Sequence, residues 1–373
     1  MSYPTEKLKS LSFIKTGKLD SNAANANGAY PFFTCDPNTL RINNWAYDTE
    51  AVLLAGNNAS GNYTAKYYSG KFNAYQRVYI IETADAKRLN IRFLCYAINQ
   101  QLHLLKKMSS GSTTKFLTLG MLHGLDIPLP AIEIQEGVVN ILSSYDDLIE
   151  NNQKQIKLLE EAAQRLYKEW FVDLRFPGHE NVKIVDGVPE GWQQQALSEI
   201  AYIIMGQSPK SEFYNQNQQG LPFHQGVGSY GERYVMDTTY STSGARIAEV
   251  GSILFSVRAP VGRLNMTKHK IIIGRGLAAI NHRAGMQSYL FYLLKERFFK
   301  DDIMGNGSIF ASISKDELLG LKFVVPKNNL VVKFNAIAAP IDEKIANLAE
   351  QIELLTETRG RLLAKLMSGE IEV

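Results

Sequence analysis

Two stretches of the chain have the periodic hydrophobic pattern of long amphipathic helices. Within residues 141–171 the stripe positions recur at alternating spacings of four and three, and residues 337–367 keep the same phase. This is the heptad pattern of a coiled coil, in which a narrow stripe of each helix faces a partner. The predicted seam contains Tyr145, Ile149, Asn152, Ile156, Leu159, Ala163, Leu166 and Trp170 in the first helix and Ile341, Ile345, Leu348, Ile352, Leu355, Arg359, Leu362 and Leu366 in the second.

The two helices are copies of one sequence. With a constant offset of 196, residues 141–171 match residues 337–367 at 11 of 31 positions. The register continues backwards to Pro130 and Pro326, which mark where each helix cannot extend because proline lacks the backbone donor. A weaker repeat with an offset of 189 opens each half and places Gly17 on Gly206. The chain therefore alternates a variable block with a repeated helix, twice.

Both hydrophobic stripes need to be covered, and their length favours a pair. A stripe of about 31 residues is too long and narrow for one small domain, although each helix could instead lie on its own neighbouring block. An approximate two-fold axis would make the paired helices antiparallel and leave one variable block near each end. A helix of about 35 residues is roughly 50 Å long, enough to set two blocks on successive grooves of B-DNA, which repeat at about 34 Å.

The predicted fold class is α/β: two mixed α/β variable domains separated by two long helices that pair as an antiparallel coiled coil, with a pseudo-two-fold internal repeat. Short strands are expected around residues 51–54, 77–81, 252–257 and 270–273. The expected segments are a first variable domain at 1–128, a central helical spacer at 129–172, a linker with the second variable domain at 173–326, and a C-terminal helical spacer at 327–373.

Charge separates the blocks from the helices. Residues 1–128 carry 14 Lys and Arg against 8 Asp and Glu, whereas residues 129–172 carry 4 against 8. Within the second block, residues 244–283 hold seven Lys or Arg and one acid, Glu249. Basic surfaces with interleaved Asn, Gln and Tyr suit phosphate contacts and hydrogen bonds to base edges. A solvated basic face without a partner explains the charge alone equally well.

Candidate DNA contacts are polar side chains in glycine-rich or basic stretches of each block. Short amides, hydroxyls and forked guanidinium groups are the side chains that read bases and grip phosphates, although a plain hairpin with a polar face would look similar. In the first block the candidates are Asn57, Asn58, Ser60, Asn62, Lys66, Lys71, Gln76 and Arg77; in the second they are Ser208, Lys210, Arg246, Ser256, Arg258, Arg263, Asn265, Lys268 and Arg275.

The sequence offers little chemistry of its own. No Asn-Pro-Pro-aromatic methylation element, glycine-rich cofactor loop or Walker sequence is present. Two isolated cysteines and six scattered histidines give no disulfide framework and no metal-ligand spacing. No apolar run of 18 residues and no export signal occurs. We therefore expect no catalytic residue, metal or cofactor in this chain, no membrane contact and a cytoplasmic location.

Several phrases resemble a known family. The helical segment from IPLPAIEIQ to FVDLRFPG, its partner ending RLLAKLMSGEI, and the phrases GKFNAYQRVY, ILFSVRAPVG and IGRGLAAI look like the specificity subunit of type I restriction-modification systems. The resemblance implies two target recognition domains that each read half of a split sequence in double-stranded DNA. It also implies docking of two adenine-N6 methyltransferase subunits and of restriction subunits, with S-adenosylmethionine, ATP and Mg in those partners.

Two other classes stay open from the residues. One is a stand-alone DNA-binding or architectural protein that uses the same spacing without enzyme partners. The other is an enzyme acting by itself, against which the missing motifs argue. One local departure from the repeat is Arg359, which stands where the first helix has Ala163 and precedes Gly360, a residue that costs about 1 kcal/mol inside a helix.

Overall fold

The computed structural model describes residues 3–58, 61–109, 115–298 and 312–373. These form two compact units: the first contains residues 1–151 and 351–373, and the second contains residues 152–350. Each of the two long helices contributes one part to each unit, because both begin in one of these ranges and end in the other.

The described part of the first unit begins with short strands and ends in a long helix. In chain order the elements are β1 (Thr5–Lys7), α1 (Leu8–Leu11), β2 (Ser12–Thr16), β3 (Tyr30–Phe33), β4 (Leu40–Ile42), β5 (Tyr47–Ala55), β6 (Asn57–Asn58), β7 (Ala65–Ala74), β8 (Val78–Thr83), α2 (Ile91–Gln100), α3 (Leu102–Met108), β9 (Lys115–Phe116), α4 (Leu119–His123), β10 (Asp126–Pro128) and α5 (Ile132–Tyr167), which continues as a π-helical turn at Lys168–Val172.

The second unit follows a similar order. Its elements are β11 (Ile184–Val185), β12 (Val188–Pro189), β13 (Gln193–Ala196), α6 (Leu197–Ile200), β14 (Ala201–Met205), β15 (Tyr214–Asn215), β16 (Leu221–His224), β17 (Tyr240–Ser241), β18 (Ile247–Ala248), β19 (Ile253–Ser256), β20 (Leu264–Met266), β21 (Ile271–Ile273), β22 (Leu277–His282), α7 (Gln287–Phe298), α8 (Lys315–Gly320), β23 (Lys322–Val325) and α9 (Asn328–Ser368).

The sheets of the two units share part of their strand order, although one six-stranded sheet in the first unit corresponds to two separate sheets in the second. In the first unit a six-stranded sheet has the order β2-β8-β5-β7-β3-β4, and in the second a four-stranded sheet has the order β14-β22-β19-β20. A second sheet, β15-β17-β16-β21-β18, completes the second unit. Both units also contain a parallel pair among antiparallel neighbours, β3 with β7 and β16 with β21. The internal repeat of the sequence is thus a repeat of element order, and the mixed α/β prediction is confirmed.

The long helices pack antiparallel to each other within each unit. In the first, Asp146 of α5 contacts Arg359 of α9, while the earlier Gly137 lies against the later Val373. In the second, the Trp170 ring lies 6.0 Å from that of Phe334, centroid to centroid. All sixteen seam positions are buried or half-buried, whereas Leu148, Leu158 and Leu354, which lie off the stripe, are exposed.

The helices are also part of each core, because their stripes pack on α2 in the first unit and on α7 in the second. The first core joins Val138 and Leu142 of α5 and Leu366 of α9 to α2 residues such as Phe93. The second joins Ala163, Tyr167, Phe334 and Ala338 to the buried face of α7. Both predicted ways of burying the hydrophobic stripes therefore occur: the helices pair with each other and also pack on a domain.

Gly360 provides a first test of the helical segment. It lies on the exposed side of α9, and no neighbouring atom lies within 4 Å of the Cβ that an alanine would add. We expect Gly360→Ala to raise the free energy of unfolding by about 0.5–1 kcal/mol, because alanine loses less backbone entropy in a helix. Urea unfolding, followed through the helical circular dichroism signal, measures this change in the free energy of unfolding. An unchanged or lower value would contradict a helical conformation at Gly360.

Candidate nucleic-acid interface

In the first unit, four loops meet beside the parallel pair of strands. They follow β2, β3, β5 and β7, and we call residues 17–23, 34–39, 56–58 and 75–77 the first loop cluster. Backbone hydrogen bonds tie them together: Gly17 N donates to Val78 O at 3.1 Å, Tyr75 N to Phe33 O at 2.9 Å, and Gly56 N to Arg77 O at 2.8 Å. Thr34, Asp36, Asn57, Asn58 and Tyr75 line a shallow surface pocket there.

The second unit brings together the four corresponding loops. Residues 206–211, 225–231, 257–263 and 274–276 form the second loop cluster. The same bonds recur: Gly206 N donates to Leu277 O at 2.9 Å, Gly274 N to His224 O at 2.8 Å, and Val257 N to Gly276 O at 2.9 Å. Ser208, Lys210, Tyr214, Gln225 and Arg275 line its surface pocket. The two clusters thus share one arrangement of loops and backbone hydrogen bonds.

The paired glycines at the start of each cluster have the same structural role. A Cβ on Gly17 would lie 2.2 Å from the carbonyl oxygen of Ala74, and one on Gly206 would lie 2.1 Å from that of Gly274. Real Cβ atoms do not approach backbone oxygen so closely, so only glycine lets the first loop pass the backbone at the end of β7, or just after β21, at this distance. The weak sequence repeat that aligned these glycines corresponds to this crossing.

Four first-block candidates lie in the first loop cluster. Asn57 and Asn58 form β6, which pairs with Lys115 and Phe116 of β9. Gln76 and Arg77 are exposed in the turn after β7, and the Arg77 guanidinium lies 5.2 Å from the Phe116 ring centroid. These two side chains and the amides of β6 therefore form one polar surface.

The remaining first-block candidates have local partners. The Lys66 ammonium donates to Pro37 O at 2.5 Å and to Thr39 Oγ1 at 3.0 Å, and burial lowers its pKa; it holds the loop after β3. Lys71 Nζ lies 4.7 Å from the Trp45 ring centroid, and Asn62 accepts from Lys106 Nζ at 2.6 Å. Ser60 lies outside the described residues.

In the second unit, four candidates meet in the second loop cluster. Ser208 Oγ donates to Gln225 Oε1 at 2.7 Å and accepts from Arg275 N at 3.3 Å, which joins three loops. Lys210 and Arg258 are exposed beside them. Among the described residues, neither Arg258 nor Arg275 has an acidic partner, so both guanidinium groups face solvent with their charge available for an anion.

Two second-block candidates are placed inside the domain. Ser256 and Asn265 are each only 1% exposed. Ser256 Oγ donates to Pro260 O at 2.6 Å and accepts from Arg263 N at 2.8 Å, and Asn265 Nδ2 donates to Gly231 O at 2.9 Å. Their hydrogen bonds support the loops rather than the surface, so neither side chain is positioned to contact a base.

Of the other candidates, Arg263 is the last residue of the loop after β19, whereas Arg246 and Lys268 lie outside the second loop cluster. Arg246 is exposed at the start of β18, and Arg263 and Lys268 are half-buried near β20, with Lys268 Nζ 5.2 Å from the Tyr234 ring centroid. Gln225 was not among the predicted contacts, because residue type and local charge do not single it out. Its equivalent position, Thr34, was missed in the first block for the same reason.

A hydrogen-bond chain that includes the buried His224 supports the loop after β16. His224 Nδ1 lies 2.8 Å from Ser229 Oγ, its Nε2 lies 2.9 Å from Asp237 Oδ1, and His269 Nε2 lies 2.7 Å from Asp237 Oδ2. Although burial alone would raise the pKa of Asp237, its hydrogen bonds to His224 and the charge of His269 lower it. The residue types are those of a hydrolytic triad, but the His224 side chain is 0% exposed and cannot meet a substrate.

The described part of the chain meets neither the requirements of a metal site nor those of a membrane-spanning helix. Among residues 3–58, 61–109, 115–298 and 312–373, no group of three His, Cys, Asp or Glu side chains is arranged to hold a metal ion. Within the same ranges, the helices are too short or too polar to span a bilayer.

The sequence matches one protein family twice. Residues 3–161 and 189–359 each match the family described as "Type I restriction modification DNA specificity domain". Each matched range contains one of the two loop clusters and most of the helix that follows it. The two matches therefore coincide with the two halves of the internal repeat.

Curated relatives carry the same description. The type I restriction enzyme MjaIX specificity subunit of Methanocaldococcus jannaschii is 28% identical over 285 residues, which cover 72% of this chain and 66% of the relative. The EcoDI specificity subunit of Escherichia coli is 31% identical over 226 residues, 54% of this chain and 50% of the relative. The chain thus spans about half to two thirds of the length of these relatives.

A solved structure has a similar fold. The S subunit of a type I restriction-modification system from M. genitalium superposes with a TM-score of 0.63 at 17% identity, covering 98% of this chain and 96% of the other. At this identity the likeness concerns the fold, which comprises two α/β domains and two long helices.

Proposed function

This chain belongs to the type I restriction-modification DNA specificity family, and on that premise we propose that it is the non-catalytic subunit that reads a split DNA sequence for its complex. The observation that carries the proposal is the repeated loop cluster, one in each unit. Two loop clusters that share a backbone arrangement but differ in their side chains are suited to a DNA target with two different halves.

We propose that each loop cluster reads one half-site. In the first, Asn58 and Gln76 offer amides and Arg77 a guanidinium, while the amide oxygen of Asn57 is buried; amide groups pair with adenine and guanidinium groups with guanine in the major groove. In the second, Ser208, Lys210, Gln225, Arg258 and Arg275 offer a more basic surface. The chemical difference between the clusters makes an asymmetric target the expected result. The recognition domains proper remain residues 1–128 and 173–326, with helical spacers at 129–172 and 327–373.

The proposed partners are enzymes, since reading a sequence has no chemical consequence by itself. We propose that two adenine-N6 methyltransferase subunits and, for cleavage, restriction subunits assemble on this chain. S-adenosylmethionine, ATP and Mg would bind in those partners. The exposed residues Leu148, Leu158 and Leu354, which lie off the buried stripe of α5 and α9, supply apolar area for such an assembly.

Co-expression with a type I methyltransferase subunit from the same source tests the function. We expect the two chains to co-purify, and the complex to methylate a random-sequence duplex library at one split motif. Exchanging residues 1–128 for the same segment of a relative should change one half of that motif only. Full methylation by this chain alone would contradict a non-catalytic role. Tight split-site binding without any co-purifying enzyme would instead favour a stand-alone binding protein.

Neutralising the second loop cluster should weaken binding of a duplex that carries the motif. We expect Arg258→Ala with Arg275→Ala to reduce the affinity of the complex by roughly 10- to 100-fold, because a good guanidinium contact contributes about 1–3 kcal/mol. If either arginine binds phosphate, the slope of log K against log salt should fall in magnitude by about 0.9 for each phosphate that is no longer neutralised. Fluorescence anisotropy across a salt series measures both quantities.

Lys270→Ala is the matched control for this variant. Lys270 is exposed and basic, but its ammonium pairs with Glu249 at 3.1 Å outside the loop cluster. We expect its removal to change neither affinity nor salt slope. Equal losses in the control and the double variant would mean that only net charge, rather than the loop cluster, drives binding.

A further inference from the structure

The two units hold the same helix aspartate with the same tyrosine. Asp146 of α5 accepts a hydrogen bond from Tyr96 of α2 at 2.5 Å, and Asp342 of α9 accepts one from Tyr292 of α7 at 2.9 Å. Both pairs are related by the offset of 196 that relates the helices. The repeat therefore extends to a buried polar contact between each long helix and its recognition domain.

The cation that neutralises this aspartate comes from a different place in each unit. In the first unit, Arg359 of α9 donates to Asp146 at 2.6 Å. In the second unit the position equivalent to Arg359 is Ala163, and the cation is Arg233, which donates to Asp342 at 2.5 Å and to Glu160 at 3.0 Å. Arg359, which interrupts the apolar heptad stripe, thus supplies the cation of the first unit, and Arg233 supplies that of the second.

Arg233 belongs to a loop that the first unit lacks at comparable length. The segment between β3 and β4 is short, residues 34–39, whereas the segment between β16 and β17 runs over residues 225–239. We call residues 225–239 the long loop. It begins at Gln225 in the second loop cluster, and its hairpin, with Tyr230 bridged to Val235, carries Arg233 to the helices.

The surroundings of Arg233 hold its side chain and backbone in place. Its side chain is 3% exposed, and its guanidinium lies 4.3 Å from the Phe291 ring centroid. Burial alone would lower its pKa, but Asp342, Tyr292 and Glu160 more than offset this and raise it. The backbone is fixed as well, because Met266 N donates to Arg233 O at 2.8 Å. The charge is permanent, paired and directed at both long helices.

We propose that Arg233 is a positioning residue for recognition of the second half-site, and that the long loop it anchors is a specificity segment found only in that half. The inference rests on the proposed function. Arg233 itself does not contact DNA: it fixes the far end of the long loop on α5 and α9, while the His224–Asp237–His269 chain fixes its base. Gln225, Ser208 and Arg275 are then presented in one arrangement.

The test separates charge neutralisation from loop positioning. The first variant is Arg233→Met in the complex with the methyltransferase subunits. The second adds Ala163→Arg, which returns a cation to Asp342 from the opposite helix, as Arg359 does for Asp146 in the first unit. A random-sequence duplex library and methylation sequencing give the discrimination at each base of both half-sites.

We expect Arg233→Met to lower discrimination at the second half-site at least tenfold and to leave the first half-site within twofold. The double variant should regain much of the thermal stability while second-half discrimination stays low. Recovery of both properties would overturn the proposal, because the cation alone would then suffice. Unchanged discrimination in Arg233→Met would also overturn it.

Two further variants keep the result interpretable. Arg233→Lys retains the charge but loses the fork that reaches two carboxylates, so a folded protein with intermediate discrimination is expected even if Arg233→Met does not fold. Arg359→Met removes the helix-borne cation of the first unit and should lower stability without changing either half-site. A wild-type complex without a split motif would refute the proposed function itself, which is a separate outcome.

Discussion

Asp342→Ala is expected to lower the free energy of unfolding of the second unit by roughly 3–5 kcal/mol, the loss typical of removing one partner from a buried ion pair. The Arg233 side chain would keep its charge at 3% exposure, and Glu160 would be its one remaining carboxylate partner among the described residues. Tyr292 would lose its acceptor as well. Because the cluster joins α5, α7 and α9, the loss should spread through the second core.

The repeat supplies a matched control for this prediction. Asp146→Ala removes the equivalent carboxylate of the first unit, where Arg359 is 36% exposed and can turn to water. We expect a loss of about 1 kcal/mol there, in the range of more solvated pairs. Similar losses in the two variants would mean that burial does not set the strength of these clusters.

Tryptophan fluorescence during urea unfolding measures the larger effect. Trp170 and Trp192 are both in the second core, while Trp45 of the first unit is 43% exposed, so the change in fluorescence reports mainly on the second unit. Hydrogen exchange of peptides from α2 and α5 gives the corresponding value for the first unit.

Gly206→Ala is expected to destabilise the second unit by about 3 kcal/mol, the upper end for inserting a methyl group into a filled space. The added Cβ would lie 2.1 Å from Gly274 O, and the backbones of Gly206 and Gly274 are both held by hydrogen bonds. The close approach of Gly206 to Gly274, which closes the second loop cluster, could not form with its present geometry. Reading of the second half-site should therefore fail while the first half-site is still read.

Gly17→Ala should have the reciprocal effect on the first half-site, since its Cβ would lie 2.2 Å from Ala74 O. Gly226→Ala is the control. That glycine is also in the second loop cluster, but its backbone is extended, with φ of −176°, and no atom lies within 4 Å of its Cβ position. Methylation sequencing of the three complexes checks the prediction. Loss of both half-sites in either crossing variant would contradict independent readers.

Much of the fold could be predicted because its signals are local. The seam from Tyr145 to Leu366 follows from heptad spacing, which needs no knowledge of distant residues. The repeat could be read directly, and even its weakest match, Gly17 with Gly206, corresponds to a shared backbone crossing. The strands around residues 51–54 and 270–273 were expected because buried strands are continuous apolar runs; their pairing order was not.

The candidate site could be predicted only in part. Residue type and local charge indicated Arg77, Ser208, Arg258 and Arg275, which the structure brings into the loop clusters. The same criteria indicated Ser256, whose hydroxyl bonds inside the domain. Gln225 gave no signal, because it reaches the cluster through its contact with Ser208, across another loop.

The order of amino acids was enough to specify what depends on neighbours along the chain: two long helices, their buried stripe, two copies of one α/β plan and an excess of positive charge in the blocks. Which loops meet, and which polar side chains are buried, emerged only when the chain was seen folded. The same is true of the cation for Asp342, which comes from Arg233, more than a hundred residues away. Helix periodicity is a property of contiguous residues, whereas loop packing and charge burial depend on contacts between distant segments.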